Sequence, residues 1–134
     1  MSARTIATIR VGDSLGPLVK KPSMVSLFRF SAATWNAHRL HYDHELSKEQ
    51  GADRPLVQAY LLGAYLAELA QDWGGSSARL QKLSFRARRP VAVDDEVTCV
   101  GSVTAQDGQV VDLELRIERG GEVCVTGTAQ LVIQ

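Results

Sequence analysis

The sequence predicts a single α+β domain over residues 1–134, a long antiparallel sheet wrapped around a buried central helix at about 59–73. Two observations carry this expectation. The segment AYLLGAYLAELAQDWGG (59–75) is apolar on every side, the pattern of a helix enclosed by protein rather than lying on a surface. Past residue 77, apolar residues recur at every second position in four successive runs, the period of half-buried strands.

The elements follow in chain order. MVSLFRFSAATW (24–35) begins just after Pro22-Ser23 and reads as a helix. HELSKEQG (44–51) reads as a shorter one, ended by Gly51. In the central helix Leu62, Leu66, Leu69 and Trp73 share one face, Gly63, Ala67 and Ala70 form a small-residue face nearly opposite, and Gly74-Gly75 supply the stop. The strand runs are Leu83, Phe85 and Ala87; Val97, Cys99, Gly101 and Val103; Val111, Leu113, Leu115 and Ile117; and Val123, Val125, Gly127, Ala129, Leu131 and Ile133. Asp107-Gly108 and Gly120-Gly121 fall between runs as hairpin turns, so four strands in series are expected to form a meander. Such a sheet leaves an edge strand, and pairing edges across a two-fold axis predicts a dimer.

Composition narrows the function classes. Fifteen basic and fifteen acidic residues cancel, which gives no global reason to expect nucleic acid or an anionic membrane as partner. The apolar stretch 59–70 is too short to span a bilayer, and the start lacks the uninterrupted apolar run of a signal peptide. Cys99 and Cys124 lie in strand runs without a CxxC pair, so a cytoplasmic location is expected.

Chemistry-bearing residues concentrate in WNAHRLHYDHE (35–45), which holds all three histidines, His38, His41 and His44. Their spacing of three suits one helix face, yet no Cys pair or H-E-x-x-H accompanies them, and no metal is expected. A neutral histidine is suited to taking and returning a proton near neutral pH, and Asn36 is an uncharged partner able to hold a water. Spacing alone leaves a catalytic loop and a polar brace equally open. Just downstream, DRPLVQAYLLG (53–63) leads straight into the N-terminus of the central helix. The backbone N–H groups of Ala59 and Tyr60 are candidates there for polarising a carbonyl oxygen.

The segment NAHRLHYD (36–43) resembles the hydratase motif of the MaoC-like, (R)-specific enoyl-CoA hydratases of the hot-dog fold, especially the branch with N-x-H-R-[IL]-H-Y-D. RPLVQAYL (54–61) is similar to that family's helix opening, with Ala59 eighteen positions after His41. IRVGDSLGPLVKKP (9–22) and ARRPVAVDDEVTCVGSV (88–103) extend the resemblance over nearly the whole chain. It implies reversible addition of water across a trans-2-enoyl thioester, with His41 and Asn36 catalytic and the N–H groups near Ala59 and Tyr60 facing the thioester oxygen. No cofactor is implied; coenzyme A, or an acyl carrier protein, enters as part of the substrate. Three positions depart from the family pattern: Asn36 replaces Asp, Gln58 replaces His and Ala59 replaces Gly.

Weaker substrate contacts are expected from Gln58, from Arg39, which either braces the loop or meets a phosphate, and from Arg86, Arg88 and Arg89, which either face coenzyme A phosphates or form a solvated strand face. His38 is expected to support the loop, Asp43 to cap the helix after it, and Trp35 to pack. The resemblance implies a homodimer, or a heterodimer with a second hot-dog subunit. A non-catalytic thioester-binding accessory protein and a hot-dog thioesterase are the other readings.

Overall fold

In the computed structural model, which describes residues 3–134, five antiparallel strands form one sheet around the central helix. In chain order the elements are β1 (Ser14–Lys20), α1 (Met24–Thr34), α2 (His44–Glu49), α3 (Ala59–Gly74), β2 (Ala78–Ala87), β3 (Val97–Asp107), β4 (Val110–Arg119) and β5 (Glu122–Ile133). The strand order across the sheet is β1-β3-β4-β5-β2. The hairpins β3–β4 and β4–β5 are those the turn residues predict.

One expectation needs correction, and one strand has no signal in the alternation pattern. The four strands are not a simple meander, because β2 crosses to pair with β5 instead of its sequence neighbour β3. Alternation alone shows which face of a strand is apolar, but not its neighbour. Secondly, β1 pairs with β3 at the far edge, with a register shift between Leu15 and Leu18. Gly16 and Pro17 at that irregularity interrupt the two-residue pattern by which the other strands are legible.

α3 lies across the sheet with Leu62, Leu66, Leu69, Ala70 and Trp73 buried. They join Val97, Cys99 and Val103 of β3, Val111, Leu113, Leu115 and Ile117 of β4, and Ala129, Leu131 and Ile133 of β5 in one core. Gly63 brings the helix close to β2, since a Cβ there would run into the Phe85 ring. Gly75, at φ 80, ends the helix where a side chain would be strained. Alternation fails at one place in β5, where Cys124 and Val125 are both buried. A register shift between Ile117 and Glu118 of the partner strand makes this a bulge.

Enclosure of α3 is partial. Ala64 is exposed and Tyr60 is 73% exposed, because within one chain the sheet covers one side of the helix only. Among the described residues no helix is long and apolar enough to cross a membrane.

Candidate active site

The loop between α1 and α2 is fixed by its own hydrogen bonds. α1 ends at Trp35, which turns left-handed (φ 57, ψ 36), and Asn36 N–H donates to the Ser31 carbonyl at 2.9 Å. Asn36 Oδ1 then accepts from His38 N–H at 3.3 Å, and His38 Nδ1 accepts from Leu40 N–H at 3.0 Å, capping a single 3-10 turn over Arg39–His41. His38 therefore supports the loop through its ring nitrogen. Tyr42 closes the loop from below, donating to Ala37 O at 2.9 Å and stacking on Phe28. Asp43 caps α2, its Oδ1 accepting from the N–H groups of Glu45 and Leu46.

Arg39 turns to Asp43, 2.6 Å away, so the structure gives it the bracing role. The Leu46 N–H and then the Arg39 guanidinium hold the Asp43 carboxyl below its ordinary range.

His41 is delivered to the start of α3. Its Nδ1 lies 2.6 Å from the carbonyl oxygen of Leu56, while Leu56 N–H donates to Leu40 O at 3.1 Å. This pair of bonds clips the loop to the chain entering the helix. A carbonyl can only accept, so Nδ1 carries a proton, and in a neutral ring so oriented Nε2 holds the lone pair of a base. The tautomer follows from the backbone partner, which no side-chain motif reveals.

The segment carrying Leu56 is itself anchored. Val57 N–H donates to Val91 O and Val93 N–H to Pro55 O, with Leu56 bridged to Ala92. Arg54 Nη2 reaches Asp95 Oδ1 at 2.9 Å, and Arg119 Nη1 reaches Asp95 Oδ2 at 3.1 Å. Burial alone would push the Asp95 carboxyl up, but the Ala92 N–H, Arg54 and Arg119 together hold it below its ordinary value. Arg54, Asp95 and Arg119 are supports that the sequence pattern does not single out, because each partner comes from a distant part of the chain.

α3 opens at Ala59. Leu61 and Leu62 donate their N–H groups to Gln58 O, while those of Ala59 and Tyr60 have no acceptor among the described residues. Ala59 is helical, and the non-glycine residues at positive φ are Trp35 and Asp94. Alanine thus leaves the backbone donor intact at this position. The Leu56 carbonyl that holds His41 stands three residues before Ala59, the first residue of α3.

Gln58 corrects the expectation of a substrate contact. Its side chain is 1% exposed, and its amide nitrogen donates to Leu27 O and Ser31 Oγ of α1, each at 2.8 Å. Trp35 does not pack; it is 93% exposed beside a cavity of about 280 Å³ lined by Phe28, Ser31, Ala32, Asn36, Ala37 and Tyr42. The arginines at and just past the end of β2 lie elsewhere. Arg86 and Arg88 line a groove on the sheet, with Arg88 Nε donating to Thr126 Oγ1, while Arg89 stands 3.6 Å from Glu122. Among the described residues no group of three or more His, Cys, Asp or Glu side chains is placed to hold a metal.

A helix wrapped by a five-stranded antiparallel sheet, with a histidine loop clipped to the helix start, defines a hot-dog protein of the MaoC-like type. More particularly, the sequence profile of the hydroxyacyl-thioester dehydratase type 2 family matches residues 17–93, and the chain belongs to that family. It is 32% identical over 106 residues to mesaconyl-C(4)-CoA hydratase of Chloroflexus aurantiacus, an alignment that takes in 78% of this chain and 36% of the relative. The chain thus spans about a third of that curated relative's length. Among solved structures it is similar to the (R)-hydratase of A. caviae involved in PHA biosynthesis, with a TM-score of 0.89 and 28% identity over 95% of this chain and 98% of that one. The ChsH1-ChsH2 complex of Mycobacterium tuberculosis shares the fold at a TM-score of 0.87 and 24% identity, over 95% of this chain and 99% of that one.

Proposed function

We propose that this chain is an enoyl-thioester hydratase/dehydratase that adds water reversibly to a trans-2-enoyl thioester. The observation that supports the reading is the His41 Nδ1–Leu56 O bond, which leaves Nε2 free to act as a base and ties the His41 loop to the chain three residues before the open N–H groups of α3. In hydration, Nε2 takes a proton from water as its oxygen bonds to C3 of the substrate. The electron pair of the C2–C3 double bond moves onto the thioester oxygen, and the enolate-like oxygen is met by Ala59 and Tyr60 N–H at the positive end of α3. The imidazolium then returns its proton to C2 as the thioester carbonyl re-forms. Asn36 orients the water as donor and acceptor, without taking a proton itself.

The thioester carrier is coenzyme A. Arg86, which has no ion-pair partner among the described residues, and Arg88 would meet its phosphates; Arg89 is already beside Glu122. An acyl carrier protein is the other carrier that a basic strand end suits. The chain works paired, as a homodimer or with a second hot-dog subunit. Supporting this, Ala59 and Tyr60 are exposed in one chain, and β1 and β2 are the edge strands of the sheet. Two free buried cysteines suit a reducing, cytoplasmic setting. Thioesterase chemistry is disfavoured, because the one acid of α3 before its last turn, Glu68, is bound to Lys20 at 2.9 Å.

The test is loss of enoyl-thioester absorbance across a panel of short, long and branched 2-enoyl-CoAs. Turnover by the purified chain supports a self-sufficient hydratase. Absence of turnover on every substrate refutes that form of the proposal.

A further inference from the structure

Among the described residues, Gln58 is the one buried side chain whose hydrogen bonding is half made. Its Nε2 is fully spent on Leu27 O and Ser31 Oγ, while Oε1, sealed from solvent, has no partner among the described residues. Flipping the amide would set its oxygen against the Leu27 carbonyl, acceptor against acceptor, so the orientation is fixed. An unpaired buried oxygen costs stability. Nor does α1 need the bond to stay helical, because the Leu27 carbonyl already has its partner four residues on, the N–H of Ser31. The side chain spans α3 and α1 at a cost that neither helix requires.

What the bond holds is Ser31. Ser31 is tied through its hydroxyl to Gln58 and through its carbonyl to the Asn36 N–H at 2.9 Å. Gln58 is also the residue whose own carbonyl starts α3, directly before the open N–H groups of Ala59 and Tyr60. A path of two hydrogen bonds therefore runs from Gln58, at the start of α3, through Ser31 to Asn36, separate from the His41–Leu56 clip. We propose that Gln58 is a positioning residue, which through Ser31 sets Asn36 in register with His41 and the N-terminus of α3. The inference rests on the hydratase reading for its kinetic consequence, though not for its structural one.

The test replaces Gln58 with methionine, which keeps length and volume and removes both polar atoms. Loss of the orphaned oxygen offsets loss of the two donated bonds, so the melting temperature is expected to stay within a few degrees of wild type. Exchange of the Asn36 backbone amide, followed by NMR, is expected to quicken at least tenfold, while amides of β4 keep their protection. With enoyl-CoA, kcat is expected to fall about tenfold with KM within twofold. Ser31→Ala, which cuts the path one step later, is expected to shift both readouts the same way.

Unchanged Asn36 exchange in both variants overturns the proposal whether or not the protein turns over substrate. So does an equal rise in exchange across the whole chain, the sign of general loosening. If exchange quickens at Asn36 but the wild type hydrates nothing, it is the hydratase reading that fails and the positioning role that stands.

Discussion

Asp95 offers a way to weigh the support beneath the segment that holds His41. In Asp95→Asn the carboxylate that receives Arg54 and Arg119 becomes a neutral amide, and one of its two oxygens becomes a donor facing a cation. Two charge-assisted bonds are weakened, at 2.9 and 3.1 Å. Such bonds contribute roughly 1.5–3 kcal/mol each when buried. Here the arginine side chains remain about a third exposed and Asn keeps one acceptor, so screening reduces the total to about 2 kcal/mol. For a domain of this size that is a fall in melting temperature of roughly 6–10 °C at pH 7.

The sign with pH follows from the depressed carboxyl. A group whose folded value lies below its unfolded one contributes stability that is complete above the unfolded value, about 3.9 for Asp. That contribution fades as pH drops through the folded value. Thermal unfolding by circular dichroism at pH 7 and at pH 3 should therefore show a gap between wild type and variant that narrows at the lower pH. Equal melting at pH 7, or a gap that stays constant down to pH 3, would refute the assigned role of the carboxylate.

Gly101→Ala places a Cβ 2.6 Å from the Glu114 carbonyl oxygen and 2.7 Å from Leu115 Cδ2, with backbone that cannot rotate away. Overpacking costs about 1–3 kcal/mol, and chemical denaturation should place this variant near the upper end. Cys99 is buried, and burial pushes its thiol up to about 12. It should resist a thiol reagent at pH 8 in the native protein and react within minutes once denaturant is added. Asp43→Ala removes the α2 cap and the Arg39 partner together, and should lower the denaturant midpoint of unfolding.

The parts of this fold that could be read from sequence are those where one residue type repeats at a fixed period. α3 and the strands β3 and β4 declare themselves through Leu66, Leu69 and Trp73 and through Val111 to Ile117. The crossover of β2 to β5 and the edge strand β1 do not, because strand order depends on long-range pairing and Gly16-Pro17 breaks the alternation. At the site, Asp43 is legible as a helix cap and His41 as a candidate proton carrier. The geometry of the site is not. Leu56 acts through a carbonyl that any residue would carry, and Ser31 and Asp95 matter through partners 27 and 41 residues away. Gln58 was misread for a related reason, since a polar residue before a helix start looks the same whether it faces substrate or a neighbouring helix.

The central claim is that His41 Nε2 moves the proton. The measurement that tests it most directly is kcat/KM for hydration of a 2-enoyl-CoA by wild type and by His41→Ala, with the fold of the variant verified by circular dichroism. A fall of about 100-fold or more is expected from removal of a general acid–base. A variant that folds normally and hydrates within a fewfold of wild type would contradict the account.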